Sequence, residues 1–150
     1  MDDLTHVIFI DFEYTAWNPR AMDLANYFNE TMLDNAHPLG TGIKWYLQNF
    51  INLEEQDKLM HIYLDQFYTR YSDLRDKVEK SVFIEGEMPK LRAEVNKCLQ
   101  LNNYFWAVWS MRILKEEKLG DANVFNFDFA LARVEMFNHV KKVCPINNTD

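Results

Sequence analysis

Two acids, Asp11 and Glu13, stand directly after an unbroken apolar run, Val7-Ile8-Phe9-Ile10. A β-branched and aromatic run of this kind predicts a buried strand. A strand that ends on carboxylates presents them at its C-terminal edge. An Asp in that place is what phosphoryl transfer uses to hold Mg²⁺ against nucleotide phosphates. The plainer reading is two solvated acids in a turn, and spacing alone favours it.

A second constellation lies far along the chain. Trp106 and Trp109, three residues apart, share one side of a predicted helix, and Phe127 and Phe129 follow after a short loop. Aromatic faces attract cations, and an aromatic box completed by a carboxylate is a receptor for quaternary ammonium. Glu30 is a carboxylate of interest. Asp23, Asn26 and Glu30 share a helical face, but Asp23 lies in a first turn, where an acid complements the helix dipole. Glu30 is further in and has no such local role. On spacing alone an aromatic stripe is core rather than cage.

Other chemistry finds little support. His6, His37, His61 and His139 are scattered without ligand spacing, and Ser110 has no His/Asp partners for a triad. The 4 glycines form no phosphate-binding loop. Cys98 and Cys144 show no zinc spacing and make no disulfide framework, which points to a reducing, cytoplasmic setting.

The elements that must position these residues are mostly helices. The chain has 150 residues, enough for one domain, and its 48% hydrophobic content can fill a core. Its net charge of -7 offers no basic face for phosphates, which argues against a nucleic-acid partner. The start, MDDLTH, lacks the pattern of a signal peptide, and no apolar run is long enough for a membrane span. The apolar spacing predicts a helix from Ala21 to about Asn35, a loop over His37–Gly42, and a helix from a capping box at Asn52/Glu55 to about Tyr71. The last of these carries a stripe of Leu59, Ile62, Tyr63, Phe67 and Tyr71. Ser72 to Lys80 reads as a separate charged helix. Gly86 interrupts the pattern, and Pro89 opens a new helix with Leu91, Val95, Cys98 and Leu99 on its apolar face. A further apolar face runs to Leu119, with Gly120 as its stop. The final helix spans about Phe127 to Val143, ended by Pro145. The strand at residues 7–10 has no strong partner elsewhere in the sequence, so its backbone groups call for a strand from outside it.

With these residues in view, IDFEYTAWNPRAMDLANYFNE resembles a segment of the choline/ethanolamine kinase family, whose pattern is met by Ile10, Asp11, Phe12, Glu13, Tyr14, Asn18, Asp23, Leu24, Ala25, Asn26, Phe28 and Glu30. NYFWAVWSMRILKEEKLG resembles the family's Trp-x-x-Trp helix, and VFNFDFALARVEMF its aromatic-Ala-x-x-Arg segment, with Phe129, Ala130 and Arg133. The resemblance implies a mainly α fold, the helical C-lobe of a protein-kinase-like enzyme with a short β element at the N-terminus. Residues 1–150 would be the C-terminal part of that lobe. It implies transfer of the ATP γ-phosphoryl group to an amino-alcohol hydroxyl. Asp11, with Glu13, would hold Mg²⁺, and Tyr14, Glu30, Trp106, Trp109 and Phe129 would line the choline or ethanolamine pocket. Phe129 stands where the family often has Tyr. The family's catalytic-loop base has no counterpart here and is expected upstream of Met1, which makes the isolated chain inactive. The alternative is a non-catalytic module derived from the same lobe, binding choline or pairing with a second copy or a full-length kinase.

Overall fold

The structure, a computed structural model, describes residues 15–116 and 121–146, without the side chains of 115–116 and 121–124. The strand expected at residues 7–10, with Asp11, Glu13 and Tyr14, lies outside the described residues, and so does Gly120.

The first described helix, α1 (Ala21–Glu30), buries Ala21, Ala25, Phe28 and Asn29 on one face and carries Asp23 in its first turn. It is shorter than the sequence predicts. The Thr31 hydroxyl donates to the Phe28 carbonyl at 2.7 Å, and the chain then turns into a small antiparallel hairpin. Strand β1 (Leu33–Asp34) pairs with β2 (Lys44–Trp45), placing Leu33 opposite Trp45 and Asp34 opposite Lys44. The intervening loop matches the expected one. Gly40 and Gly42 take φ of 70° and 84°, the left-handed region that an L side chain resists.

A 3-10 turn (Leu47–Asn49) leads to α2 (Leu53–Arg70). The capping box forms as expected: Asn52 Oδ1 accepts from the Glu55 amide at 3.0 Å, and Asn52 Nδ2 donates to Glu55 Oε2 at 2.8 Å. Asn52→Ala should cost about 1 kcal/mol, read as a lower midpoint in urea unfolding. The buried face of α2 differs from the expected stripe: it is Gln56, Met60, Leu64 and Tyr68, with Ile62 and Tyr71 exposed. Tyr63 and Phe67 instead lie half-buried along the helix flank, where Phe67 stacks on Phe83 at 6.3 Å. Of the next charged stretch, Ser72–Arg75 forms the short α3, and Lys80 already opens the following helix.

Helix α4 (Lys80–Glu116) is the spine, and α1, α2 and α5 (Asp121–Val143) all pack against it. It runs unbroken through Pro89, where the sequence predicts a new start. A proline inside a helix loses one backbone hydrogen bond and strains the preceding turn. Packing outweighs this cost here. Ile84 before the proline and Leu91, Val95 and Leu99 after it are buried in one core, together with Phe28, Met60, Leu64 and Met136. Arg20 adds a clamp across the proline, donating to Glu87 Oε2 and to Glu94 Oε2, each at 2.8 Å. Helix α5 likewise begins before the expected Phe127 and ends as expected, ahead of Pro145.

Lys90, and then Arg20, hold the Glu87 carboxyl below the usual carboxylate range. A depressed folded-state value means that the contribution is complete at neutral pH and is lost as pH falls through it. Glu87→Gln should therefore flatten the acid limb of the stability profile, measured as unfolding midpoint against pH.

Candidate functional site

The site grows from an oddity in α5. Phe129, Arg133, Met136 and Val140 recur at helical spacing on its buried face, so an arginine occupies a core position. Arg133 is only 2% exposed. A buried guanidinium needs a counter-charge and acceptors, and α1 supplies the charge. Arg133 Nη2 donates to Glu30 Oε1 at 2.5 Å, and Nη1 reaches Asn103 Oδ1 at 3.5 Å. Burial pushes the guanidinium's pKa down and Glu30 pulls it back up; it remains a cation at any working pH.

Two aromatic rings complete the surroundings of this cation. The guanidinium carbon lies 4.7 Å from the Phe129 ring centroid and 6.0 Å from that of Trp106. Trp106 meets Phe129 edge-on at 6.5 Å and Trp109 edge-on at 5.5 Å. The structure thus brings Glu30 at the end of α1, Trp106 and Trp109 on α4, and Phe129 on α5 into one cluster. Arg133 is the common neighbour of Glu30, Trp106 and Phe129, and Trp109 joins through Trp106. Phe127, by contrast, is exposed.

Trp106 is fixed by polar contacts that its sequence spacing does not reveal. Its Nε1 donates to Asn26 Oδ1 at 3.3 Å, and Asn102 Nδ2 donates to the same oxygen at 2.9 Å. Asn102 in turn accepts from Asn29 Nδ2 at 3.0 Å, tying the ring's support to the buried face of α1. The hairpin backs the cluster from behind: Ile43 packs with Phe129 and Ala132. Trp45 Nε1 donates to Glu135 Oε2 at 2.7 Å, and Thr41 Oγ1 to Asp128 Oδ2 at 2.6 Å. These bonds flank Phe129 on both sides in sequence. A cleft of about 640 Å³ opens on the other side of Trp106, bounded by Asn18, Asp23, Asn26 and Asn102; Glu30, Trp109 and Phe129 do not line it.

Tryptophans, a carboxylate and an arginine on three different helices are a specific combination, and comparison with known proteins decides what it belongs to. The model of the family described as choline/ethanolamine kinase matches residues 1–140. The chain belongs to the choline/ethanolamine kinase family. Ethanolamine kinase 2 of Rattus norvegicus is 28% identical over 146 residues, covering 95% of this chain and 31% of that protein. Choline kinase alpha of Mus musculus is 24% identical over 136 residues, covering 91% and 28%. Choline kinase A2 of Caenorhabditis elegans is 27% identical over 136 residues, covering 87% and 28%. The chain therefore spans less than a third of the length of these choline/ethanolamine kinase relatives. The mainly α, kinase-like fold expected from the sequence agrees with the helices described above.

Among the sequence-derived site residues, Glu30, Trp106, Trp109 and Phe129 are placed together. The sequence reading missed Asn26 as the anchor of Trp106 and Arg133 as the partner of Glu30. A signal for Arg133 existed: a lone arginine in an apolar row of α5 demands an acid, and Glu30 was an acid without a local role.

Proposed function

We propose that the intact protein transfers the γ-phosphoryl group of ATP to the hydroxyl of choline or ethanolamine, and that this chain supplies the ammonium-recognising end of the pocket. One observation carries the reading: Glu30, Trp106 and Phe129 converge around a cation, that of Arg133. Aromatic rings and a carboxylate gathered in this way are the groups that also suit a ligand ammonium. Family membership supplies the reaction class. Tyr14 is assigned to the same pocket by the resemblance of its motif alone.

Asp11 and Glu13 are the residues we assign to Mg²⁺, an oxygen-seeking ion that carboxylates suit. Bound with ATP, the ion would neutralise charge on the phosphates. Among the described residues no group of three or more His, Cys, Asp or Glu could hold a metal. The work of the described side chains is positioning. By fixing the ammonium end they limit where the hydroxyl can lie, and holding reactants in place is a large part of phosphoryl-transfer catalysis. No described helix is long and apolar enough to cross a membrane. Cys98 and Cys144 are free thiols, which suits the reducing, cytoplasmic setting we propose for the reaction.

The test is an ADP-release assay on the intact protein. Glu30→Gln should raise the KM for the amino alcohol about tenfold and leave the KM for ATP unchanged. An unchanged amino-alcohol KM would remove Glu30 from the pocket.

A further inference from the structure

An indole N–H can only donate, whereas a side-chain amide has an oxygen end and a nitrogen end of nearly the same shape. Asn26 turns its oxygen to Trp106 Nε1, and the reason lies two residues away. The Leu99 carbonyl is a backbone acceptor that cannot be reversed, and it takes Asn29 Nδ2 at 3.1 Å. The same nitrogen donates to Asn102 Oδ1 at 3.0 Å. Asn102 therefore has its nitrogen toward Asn26, and Nδ2 donates to Asn26 Oδ1 at 2.9 Å. Turning any one of the three amides over would set donor against donor, or oxygen against oxygen, at its neighbours. Asn29 is 0% and Asn102 4% exposed, so water has little access to supply substitute partners. The direction is kept even though it leaves Asn29 Oδ1 buried without a partner. Reversal would bring that oxygen against the Leu99 carbonyl instead. Asn26, Asn102 and Trp106 all line the cleft beside the cluster.

We propose that Asn102 is a positioning residue: it passes the direction set by the Leu99 carbonyl, through Asn29, to the Asn26 amide, so that an oxygen holds the Trp106 indole in place for the ammonium. The proposal rests on the amino-alcohol reading and goes beyond it, because Asn29 and Asn102 lie outside the motif residues that carry the family resemblance. Asn102 acts through Asn26 and Trp106 and is not a catalytic residue. A side chain that merely supports the fold is a different case. Its loss would lower the unfolding midpoint and leave the indole of the folded protein as it was.

The experiment follows solvent exchange of the Trp106 indole proton by nuclear magnetic resonance in the intact protein, its signal identified by its loss in Trp106→Phe. The KM values for choline, ethanolamine and ATP are measured alongside, in the native sequence, Asn102→Asp and Asn102→Ala. Asn102→Asp keeps the shape of the side chain but, ionised, has no N–H. Asn26 should then turn its nitrogen to the carboxylate, which sets that nitrogen against the indole donor. Indole exchange and the amino-alcohol KM should each rise about fivefold, with the KM for ATP unchanged. Asn102→Ala removes the link and lets Asn26 turn either way, so both effects should be present but smaller; this variant decides the matter if Asn102→Asp does not fold. Indole exchange at the native rate in either folded variant, or faster exchange without a change in amino-alcohol KM, would overturn the positioning role and leave the amino-alcohol reading standing. Phosphorylation of neither amino alcohol by the native protein would overturn both.

Discussion

Glu30→Ala will destabilise the chain by about 3–5 kcal/mol, and more than Arg133→Met will at the other end of the same ion pair. The asymmetry follows from burial. The Arg133 side chain is 2% exposed, whereas that of Glu30 is 36% exposed. Removing the acid strands a cation inside the helical bundle, where the rings of Phe129 and Trp106 offset only part of the lost partner. Removing the arginine strands a carboxylate that water can reach, and methionine refills much of the volume, so that change should cost about 1–2 kcal/mol. Urea unfolding of the two variants measures the difference directly. The opposite ranking would mean that Glu30, not Arg133, is the desolvated partner.

The second large effect is on binding. Trp106→Ala should weaken choline binding about thirtyfold, the equivalent of roughly 2 kcal/mol for a desolvated cation–π contact. The indole is the junction of the cluster, touching Trp109, Phe129 and the Arg133 guanidinium and donating to Asn26. Phe127→Ala is the matched control. Phe127 is an aromatic residue of the same segment but is 59% exposed, so its loss should leave choline affinity unchanged and stability within about 0.5 kcal/mol. Equal weakening by both substitutions, followed by calorimetry, would show that general aromatic content rather than the Trp106 cluster holds the ligand.

What the sequence revealed and what it concealed follow from how locally each feature is encoded. Helix α2 announced itself through Asn52 and Glu55, because a cap is a local hydrogen-bond pattern. The hairpin did not. Strands of two residues show no alternation, and β1 and β2 are specified by what they touch: Leu33 and Trp45 pack against Ile43 and Phe129. Pro89 was a misleading local signal, overridden by core contacts on both sides of it and by Arg20 reaching Glu87 and Glu94. The face of α2 was misjudged because two of its apolar residues, Leu53 and Ile62, remain exposed while Gln56 is buried, its Nε2 bonded to the Ile51 carbonyl at 2.8 Å. In the cluster, Glu30, Trp106, Trp109 and Phe129 were legible as motif residues. That Glu30, Trp106 and Phe129 meet at Arg133 was not, since the Glu30–Arg133 contact joins residues 103 positions apart.

Central to the proposed function is the assignment of the ammonium end of an amino-alcohol pocket to Trp106, Trp109 and Phe129 with Glu30. The measurement that tests it most directly is a set of intermolecular nuclear Overhauser effects between the N-methyl protons of bound choline and the aromatic protons of the protein. Cross-peaks to the rings of Trp106, Trp109 and Phe129 are expected, and their loss in Trp106→Ala. Cross-peaks confined to other aromatic residues, or none from choline shown to be bound, would contradict it.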